Sequence, residues 1–503
     1  MSQYILAAAA EIFQPAVLIY IVFGVLLGYV VGALPGMNRT TAIAVSLPFT
    51  FTMSPAAAIS FLIGINKGGA AGSAVSAILL NIPGEASSAV TAYDGYPMAR
   101  SGKAQKALKA ALFGSVIGDV LATAVLIALA RPLADFAIGL GPFELAAILI
   151  FSITFIAAVA GDSFFKALIA GFFGLLLSAP GLDIETGLPR MTFGLVELFD
   201  GVPVLSVAIG TLAMSQVLSQ TDKGWRGKYT SPDAEVVSTD ESDKQLSKQE
   251  FKQITPAIMR GSIVGTLIGI LPGLGATLAS FLAYTWVQKS SKTPERFGKG
   301  APEGVAASEA ADNATVPAAL VPVFAIGVPG SLSTALLMGA FMMHDLTPGP
   351  FLFRENATVV YSIYIGMIVA SAALLLVGFF GQSLFAAALR VRGTILWPVI
   401  VFLCVCGAYI QGGTMFGVYL MLIFGFIGYF MRKFDYSFVT FVVGYLLGPM
   451  AELTIRQTII LSARDPWRIL DHPIALLFLA LTVFAVWRFT IAGMRSMRLS
   501  AAG

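Results

Sequence analysis

Four apolar stretches of this chain are interrupted by Pro-Gly, and the interruptions come in matched pairs. Leu34-Pro35-Gly36 is answered by Leu271-Pro272-Gly273, and Ile82-Pro83-Gly84 by Val328-Pro329-Gly330. Pro272 lies 237 positions after Pro35, and Pro329 lies 246 after Pro83. Proline lacks an N–H and clashes with the preceding turn, while glycine tolerates φ > 0, so each pair stops one helix and lets another begin. In lipid an opened helix leaves peptide groups unsatisfied at a cost of several kcal/mol each, so four openings at corresponding places need a compensating role. Freed N–H groups and the positive end of the new helix attract anions, and freed carbonyls can hold a cation such as Na⁺ near Gly36, Gly84, Gly273 or Gly330. Two related halves broken in this way are the pattern of a secondary transporter. The plainer alternative is that Pro and Gly merely kink packed helices.

The rest of the chain is suited to a bilayer. It is 57% hydrophobic and 12% charged, where a soluble domain carries about 25%. Apolar runs at 17–34, 108–130, 146–160, 362–380 and 473–486 reach or approach the ~20 residues that cross a membrane as helix. The alternating pattern of an outer-membrane barrel is absent. We therefore expect an all-α integral membrane protein with about ten to twelve transmembrane segments. A net charge of +3 argues against a nucleic-acid partner. Cys404 and Cys406 fall on different faces of one helix, which favours buried thiols over a bridge or a metal pair. Residues 1–13 lack the basic region of a secretory signal, so the first segment is expected to stay in the membrane.

One polar stretch, 219–253, has too little apolar surface to pack and reads as a cytoplasmic-type linker. It divides the chain into a first repeat half (1–218), a linker (219–255) and a second half (256–503). Segment 36–52 parallels 273–288, and 71–83 parallels 317–329. Basic loops then suggest orientation. Residues 52–55 have no basic residue, but their counterpart carries Lys289, Lys292, Arg296 and Lys299. After the second break the bias reverses: Arg100, Lys103, Lys106 and Lys109 face a counterpart with only Arg354. Short basic loops stay cytoplasmic, so the halves are expected to be inverted repeats, with Arg488, Arg495 and Arg498 on a cytoplasmic tail. About 30 residues surround each first break, a length that fits either a re-entrant hairpin or an interrupted span.

The residues around the breaks form the candidate substrate site. They are Pro35, Gly36, Asn38, Arg39 and Thr40 at the first, and Asn81, Pro83, Gly84, Ser87 and Ser88 at the second. Pro272 and Gly273 mark the third, and Pro329, Gly330, Ser331, Ser333 and Thr334 the fourth. The short hydroxyl and amide groups suit carboxylate oxygens or helix capping. Charges inside apolar sequence are functional candidates. Arg39 and Lys67 either neutralise a carboxylate substrate or pair structurally with Glu85, Asp119 or Asp312. Glu309 and Asp312 share a helical face; they either bind a cation or proton or cap a helix starting near Ala314. Asn313 joins the substrate candidates, and Glu85, Asp119, Glu309 and Asp312 are the ion-coupling candidates. His344 and His472 stand far apart in sequence, and neither a membrane-protease pattern nor a phosphate-binding Gly-x-x-x-x-Gly-Lys loop is present. An enzyme is therefore not expected, and no cofactor beyond a coupling cation, H⁺ or Na⁺. A passive channel or membrane-embedded enzyme stands as the alternative.

Several strings together resemble the large membrane subunit of the tripartite tricarboxylate transporter family. They are Gly32-Ala33-Leu34-Pro35-Gly36, Asn81-Ile82-Pro83-Gly84-Glu85, Tyr93-Asp94-Gly95-Tyr96-Pro97-Met98, Ile270-Leu271-Pro272-Gly273-Leu274-Gly275, Glu309-Ala310-Ala311-Asp312-Asn313-Ala314, Gly327-Val328-Pro329-Gly330-Ser331 and Pro348-Gly349-Pro350. The resemblance implies a multi-pass permease of the bacterial inner membrane. It also implies a small membrane subunit of four helices and a periplasmic solute-binding protein that delivers a carboxylate. Uptake would be driven by an H⁺ or Na⁺ gradient through elevator-like motion. Met37-Asn38-Arg39 and Asn66-Lys67 depart from the family pattern and add positive charge, from which an acid differing from citrate in charge or shape is expected.

Overall fold

A computed structural model describes residues 2–34, 37–159, 163–183, 186–226, 245–388, 393–412, 414–463 and 465–500. The first half contains α1 (Ser2–Ile12), α2 (Pro15–Ala33), α3 (Arg39–Ser46), α4 (Pro55–Leu80), α5 (Ser88–Arg100), α6 (Ala104–Ile138), α7 (Pro142–Val159), α8 (Phe164–Leu177), α9 (Val204–Ala208) and α10 (Ser215–Arg226). A π-helical stretch, Ile209–Met214, joins α9 to α10, and a two-residue hairpin pairs Gly181–Leu182 with Pro189–Arg190. The second half contains α11 (Lys248–Ile270), α12 (Gly275–Ser290), α13 (Pro302–Ala318), α14 (Val321–Ile326), α15 (Leu332–Met343), α16 (Leu352–Glu355), α17 (Ala357–Ala388), α18 (Gly393–Gly412), α19 (Met415–Lys433), α20 (Phe438–Ser462) and α21 (Pro473–Ser500).

Among the described residues, eight helices are long and apolar enough to cross a membrane, below the ten to twelve segments expected from the sequence. The shortfall has physical causes. α7, α8, α15 and the apolar part of α18 are shorter than a full crossing. α13 carries Glu309, Asp312 and Asn313 in its middle, and they are buried by neighbouring helices instead of facing lipid.

Helix register decides the form of the first and third breaks. Gly24, Gly28 and Gly32 of α2 lie against the backbone of Phe61, Ile65 and Gly69 of α4, so α2 and α4 run parallel. The intervening α3 and the 3₁₀ turn Leu47–Thr52 must therefore return the chain to the side where α2 began. Gly261 and Gly265 of α11 face Ala307 and Ala311 of α13 in the same parallel sense. Ser280 and Tyr284 of α12 reach Ser308 and Gly304, which fixes α12 as the antiparallel return. The chain therefore reverses direction between α2 and α4 and again between α11 and α13, as a hairpin does and an interrupted span does not.

Two sets of helices follow from further contacts. α17 runs parallel to α4, since Gly366 meets Ser60 while Met367 and Ser371 meet Lys67. α6 runs parallel to α13 through Gly114 on Ala306 and Gly118 on Ala310. α6 is antiparallel to α17, with Leu112 on Gly378, Asp119 on Ser371 and Arg131 on Tyr361. α2, α4 and α17 therefore point one way and α6, α11 and α13 the other. α5 is antiparallel to α13 (Thr91 to Glu309, Asp94 to Ala301), so it continues in the direction of α4, and the second break interrupts a span. Small residues make this close approach possible: a Cβ at Gly28 would overlap the Ile65 carbonyl oxygen.

The polar stretch between the halves is helical at both ends. α10 extends to Arg226, and α11 starts on a capping box in which Ser247 accepts from Glu250 N–H while Glu250 accepts from Ser247 N–H. Residues 227–244 lie outside the described part, as do Pro35 and Gly36 of the first break.

Candidate functional site

Arg39 opens α3 directly after the first break, and its charge is divided between both halves of the chain. Its backbone N–H donates to Glu85 Oε1 at 2.9 Å, and its Nε stands 3.0 Å from Glu85 Oε2. Glu85 follows the second break, so one carboxylate both caps α3 and pairs with its first side chain. Arg39 Nη2 donates to Asp312 Oδ1 at 3.0 Å, from α13 of the second half. Ser87 Oγ donates to the other oxygen, Asp312 Oδ2, at 2.8 Å. The remaining guanidinium nitrogen, Arg39 Nη1, is buried without a partner.

The third and fourth breaks meet on the far side of that nitrogen. Gly273 N–H donates to the Gly330 carbonyl at 3.0 Å, an uncommon backbone bond between two turns distant in sequence. A cavity of about 50 Å³ lies among the breaks. Arg39 and Asn66 line it from the first half, Gly269, Gly275 and Ala276 from the third break, and Gly330, Ser331 and Ser333 from the fourth. Thr315, Val316 and Ala319 of α13 close it. Asn66 Oδ1, like Arg39 Nη1, is buried and unpartnered. Two residues that line one cavity thus each carry an open polar atom, a donor on Arg39 and an acceptor on Asn66, where buried polar groups are otherwise satisfied. The space admits waters or a single carboxylate group; a whole drug-sized acid occupies several hundred Å³, so the breaks must separate to admit one.

The other expected residues sort by neighbour. Asn38 Oδ1 accepts from Thr41 N–H at 2.8 Å and from the Thr40 hydroxyl at 2.7 Å, a cap on α3. Ser331 and Thr334 form the reciprocal cap of α15, and Ser88 bonds back to Glu85. Asn81, in the left-handed conformation at φ 54°, terminates α4 and is exposed, as is Pro83. Pro272 is half-buried and Pro329 buried at their turns. Gly84 backs onto the Gly32 carbonyl.

Lys67 and Asp119 take the structural alternative. Lys67 is fully buried and donates to Asp119 Oδ2 at 2.8 Å, Ser371 Oγ at 2.9 Å, the Met367 carbonyl at 2.9 Å and Thr123 Oγ1 at 3.3 Å. Its charge is thereby cancelled within the packing of α4, α6 and α17, and only its neighbour Asn66 reaches the cavity wall. The positive charge that Asn66-Lys67 brings to the sequence therefore does not stand free beside a break. The capping role considered for Glu309 and Asp312 is also corrected: α13 runs unbroken from Pro302 to Ala318, so Ala314 starts no helix. Glu309 accepts from Thr91 Oγ1 at 2.6 Å and from Ser115 Oγ at 3.2 Å, and Asn313 Nδ2 donates to Ser115 Oγ at 2.9 Å.

Sequence reasoning missed Thr91, Asp94, Ser115 and Asn66 as members of this region. Asp94 Oδ1 accepts from the N–H groups of Gly298, Gly300 and Ala301, and Oδ2 accepts from Tyr284, so it ties the α5–α6 corner to the loop before α13. The repeat offset was a usable signal, since Asn66 lies 246 positions before Asp312, as Pro83 does before Pro329. A larger recess of about 270 Å³ lies between loop 178–202 and α20. Arg190 and Glu452 in its lining bind each other at 2.9 Å, and Asp200 is exposed beside them.

The order of these elements and motifs agrees with a known family. The family model for the tripartite tricarboxylate transporter TctA family matches residues 18–443, most of the chain. The chain belongs to that TctA family. It is 36% identical over 484 residues to an uncharacterized 52.8 kDa protein of the TAR-I ttuC' 3' region of Agrobacterium vitis, covering 96% of this chain and 95% of that protein. A second Agrobacterium vitis protein, from the TAR-II ttuC' 3' region, is 32% identical over 227 residues, covering 45% of this chain and 94% of its own length. No solved structure matches. TctA proteins are transporters, so the chain is a multi-pass membrane transport protein and not an enzyme. The tripartite character of the family means that it works with partner subunits.

Proposed function

We propose that this TctA-family chain is the permease of an ion-gradient-driven importer of organic carboxylates, tricarboxylate or dicarboxylate, in the bacterial inner membrane. A periplasmic solute-binding protein delivers the acid, and a small four-helix membrane subunit completes the assembly. The observation that carries this reading is the unpartnered, buried Arg39 Nη1 on a cavity bounded by three of the four breaks. A carboxylate there accepts from Nη1 and from the Ser331 and Ser333 hydroxyls, and Asn66 Oδ1 takes a hydroxyl of the acid.

The charge balance supports cation coupling. Arg39 stands against Glu85, Asp312 and Glu309, so the region already holds two more carboxylates than guanidinium groups. Adding an anionic substrate to that excess in a low-dielectric site requires a cation or proton to enter with it. The antiparallel run of α4 and its counterpart α13 supports two inverted repeats. So does the contact of Asp94 in α5, the helix that leads into the basic segment 100–109, with the 298–301 turn at the end of the basic segment 289–299. Two opposed hairpin tips flanking one site suit alternating access by an elevator motion.

The test is uptake by right-side-out vesicles holding the chain, the small subunit and the binding protein, with radiolabelled citrate and a set of dicarboxylates. Concentrative uptake under an imposed H⁺ or Na⁺ gradient supports the reading. Flux that ignores the gradient contradicts it and indicates a channel.

A further inference from the structure

Glu309 makes no ion pair among the described residues, although it is fully buried in the middle of α13. Burying an unpaired carboxylate is far costlier than burying a carboxylic acid. Its surroundings are hydroxyls arranged in a line. Glu309 Oε1 contacts Thr91 Oγ1 at 2.6 Å, Thr91 Oγ1 contacts Ser308 Oγ at 2.9 Å with either atom able to donate, and Ser308 Oγ reaches the Val305 carbonyl at 3.0 Å. The line works in both directions. With an ionised carboxylate, Thr91 donates to Glu309. With a protonated one, Glu309 donates to Thr91, Thr91 to Ser308 and Ser308 to the carbonyl. No donor or acceptor of this line is stranded in either state. Oε2 accepts from Ser115 in both states, and Ser115 is held by Asn313 Nδ2.

We infer that Glu309 is a proton-binding site whose protonated and ionised forms are both satisfied by the Thr91–Ser308 hydroxyl pair. This inference deepens the carrier reading and rests on it only for what the proton would drive. At 2.6 Å the Glu309–Thr91 contact is a direct hydrogen bond, the geometry in which a proton is shared between two oxygens. The fully buried Asn313, whose Oδ1 has no partner, is a second open group at the same place. The titratable and charged groups nearest Glu309 are Tyr29 on α2, Arg39 on α3 and Asp312 one turn along its own helix. Of those on the other packed elements, Asp94 on α5 is tied to Tyr284 of α12 and the 298–301 loop, and Asp119 on α6 is tied to Lys67 of α4. α11 meets α13 through Gly261 and Gly265. Release of the proton adds a negative charge to the carboxylate excess of the region and raises the repulsion on a bound carboxylate; loading lowers it.

The test needs no substrate. The full chain is purified in nanodiscs and titrated from acid to alkaline pH, reading infrared absorption in the carboxylic-acid carbonyl region. A protonated-carboxyl band that titrates in the wild type and is lost in Glu309→Gln supports the inference. A wild-type-minus-Glu309→Gln difference spectrum without a titrating carboxyl band overturns it; the other Asp and Glu side chains titrate in both proteins and cancel in that difference. If Glu309→Gln does not fold, Thr91→Val decides. It removes a donor to the ionised form, so a midpoint moved to higher pH supports the site and an unmoved midpoint overturns it. A chain that carries this proton yet moves no carboxylate in vesicles loses the carrier reading and keeps this one.

Discussion

Arg39 and Asp312 stand 273 positions apart in sequence and meet at 3.0 Å, with Glu85 on the other edge of the same guanidinium. This contact joins a hairpin tip of the first half to the central helix of the second. Removing a single member of a buried ion network typically costs about 3–5 kcal/mol, because the remaining charge is left without a partner. Arg39→Ala is expected to lower the melting temperature sharply in detergent. Arg39→Ala with Asp312→Asn should recover part of that loss while transport stays absent. Full recovery of uptake in the double variant would remove Arg39 from the site.

Lys67 should separate stability from affinity. Its ammonium is saturated by Asp119, Ser371, Thr123 and the Met367 carbonyl. Lys67→Ala is expected to destabilise by about 3–5 kcal/mol. Lys67→Met with Asp119→Leu should regain most of it, and carboxylate affinity of the folded double variant should match the wild type. Calorimetry and binding on the same preparation check both halves of this expectation.

Close packing of α2 on α4 makes a third prediction. A methyl at Gly28 meets the Ile65 carbonyl, and backbone cannot give way as a side-chain end can. Gly28→Ala is expected to cost about 1–3 kcal/mol through overpacking, and Gly28→Leu more. Gly187, whose Cβ would meet nothing, is not a matched control, because its φ of 66° strains any other residue. A conservative swap at lipid-exposed Ile19 serves instead. Thermal melting of the three variants orders them.

Outside the spans, Glu250 ties the start of α11 to Lys106 of α6 at 2.7 Å. Partial burial pushes its carboxyl up, but the hydrogen bonds from the Lys106 ammonium and from Ser247 outweigh it, and the group is held below its ordinary value. A depressed carboxylate contributes stability above its unfolded value of about 4.3, and that contribution is lost as pH falls through the lower folded value. The pair is partly exposed, so the contribution is about 1 kcal/mol or less. Glu250→Gln should therefore melt slightly below the wild type at neutral pH, and the gap should close in acid.

The membrane class and the regions of the breaks were legible because their signals are local: apolar length and Pro-Gly punctuation. Hairpin and interrupted span were not separable, because the choice rests on Gly28 against Ile65 and Gly265 against Ala311, contacts between residues tens of positions apart. Lys67 illustrates the same limit. Its sequence neighbours are small and apolar, while the groups that neutralise it come from α6 and α17. The hydroxyl and amide residues beside the breaks divided into caps, such as Asn38 and Thr334, and cavity walls, such as Ser333, by orientation alone. Thr91 and Ser115 escaped notice because an isolated hydroxyl in an apolar helix has no spacing pattern to mark it.

The most direct test of the account asks whether a carboxylate occupies the cavity beside Arg39. In a background with Cys404 and Cys406 replaced by alanine, Ser333→Cys places one thiol on the cavity wall. Its alkylation by a small reagent is followed in vesicles with and without citrate and a set of dicarboxylates. The account predicts that at least one acid slows labelling in a concentration-dependent way, and that Arg39→Lys weakens this protection. Unchanged labelling under conditions where the same vesicles accumulate the acid would contradict it.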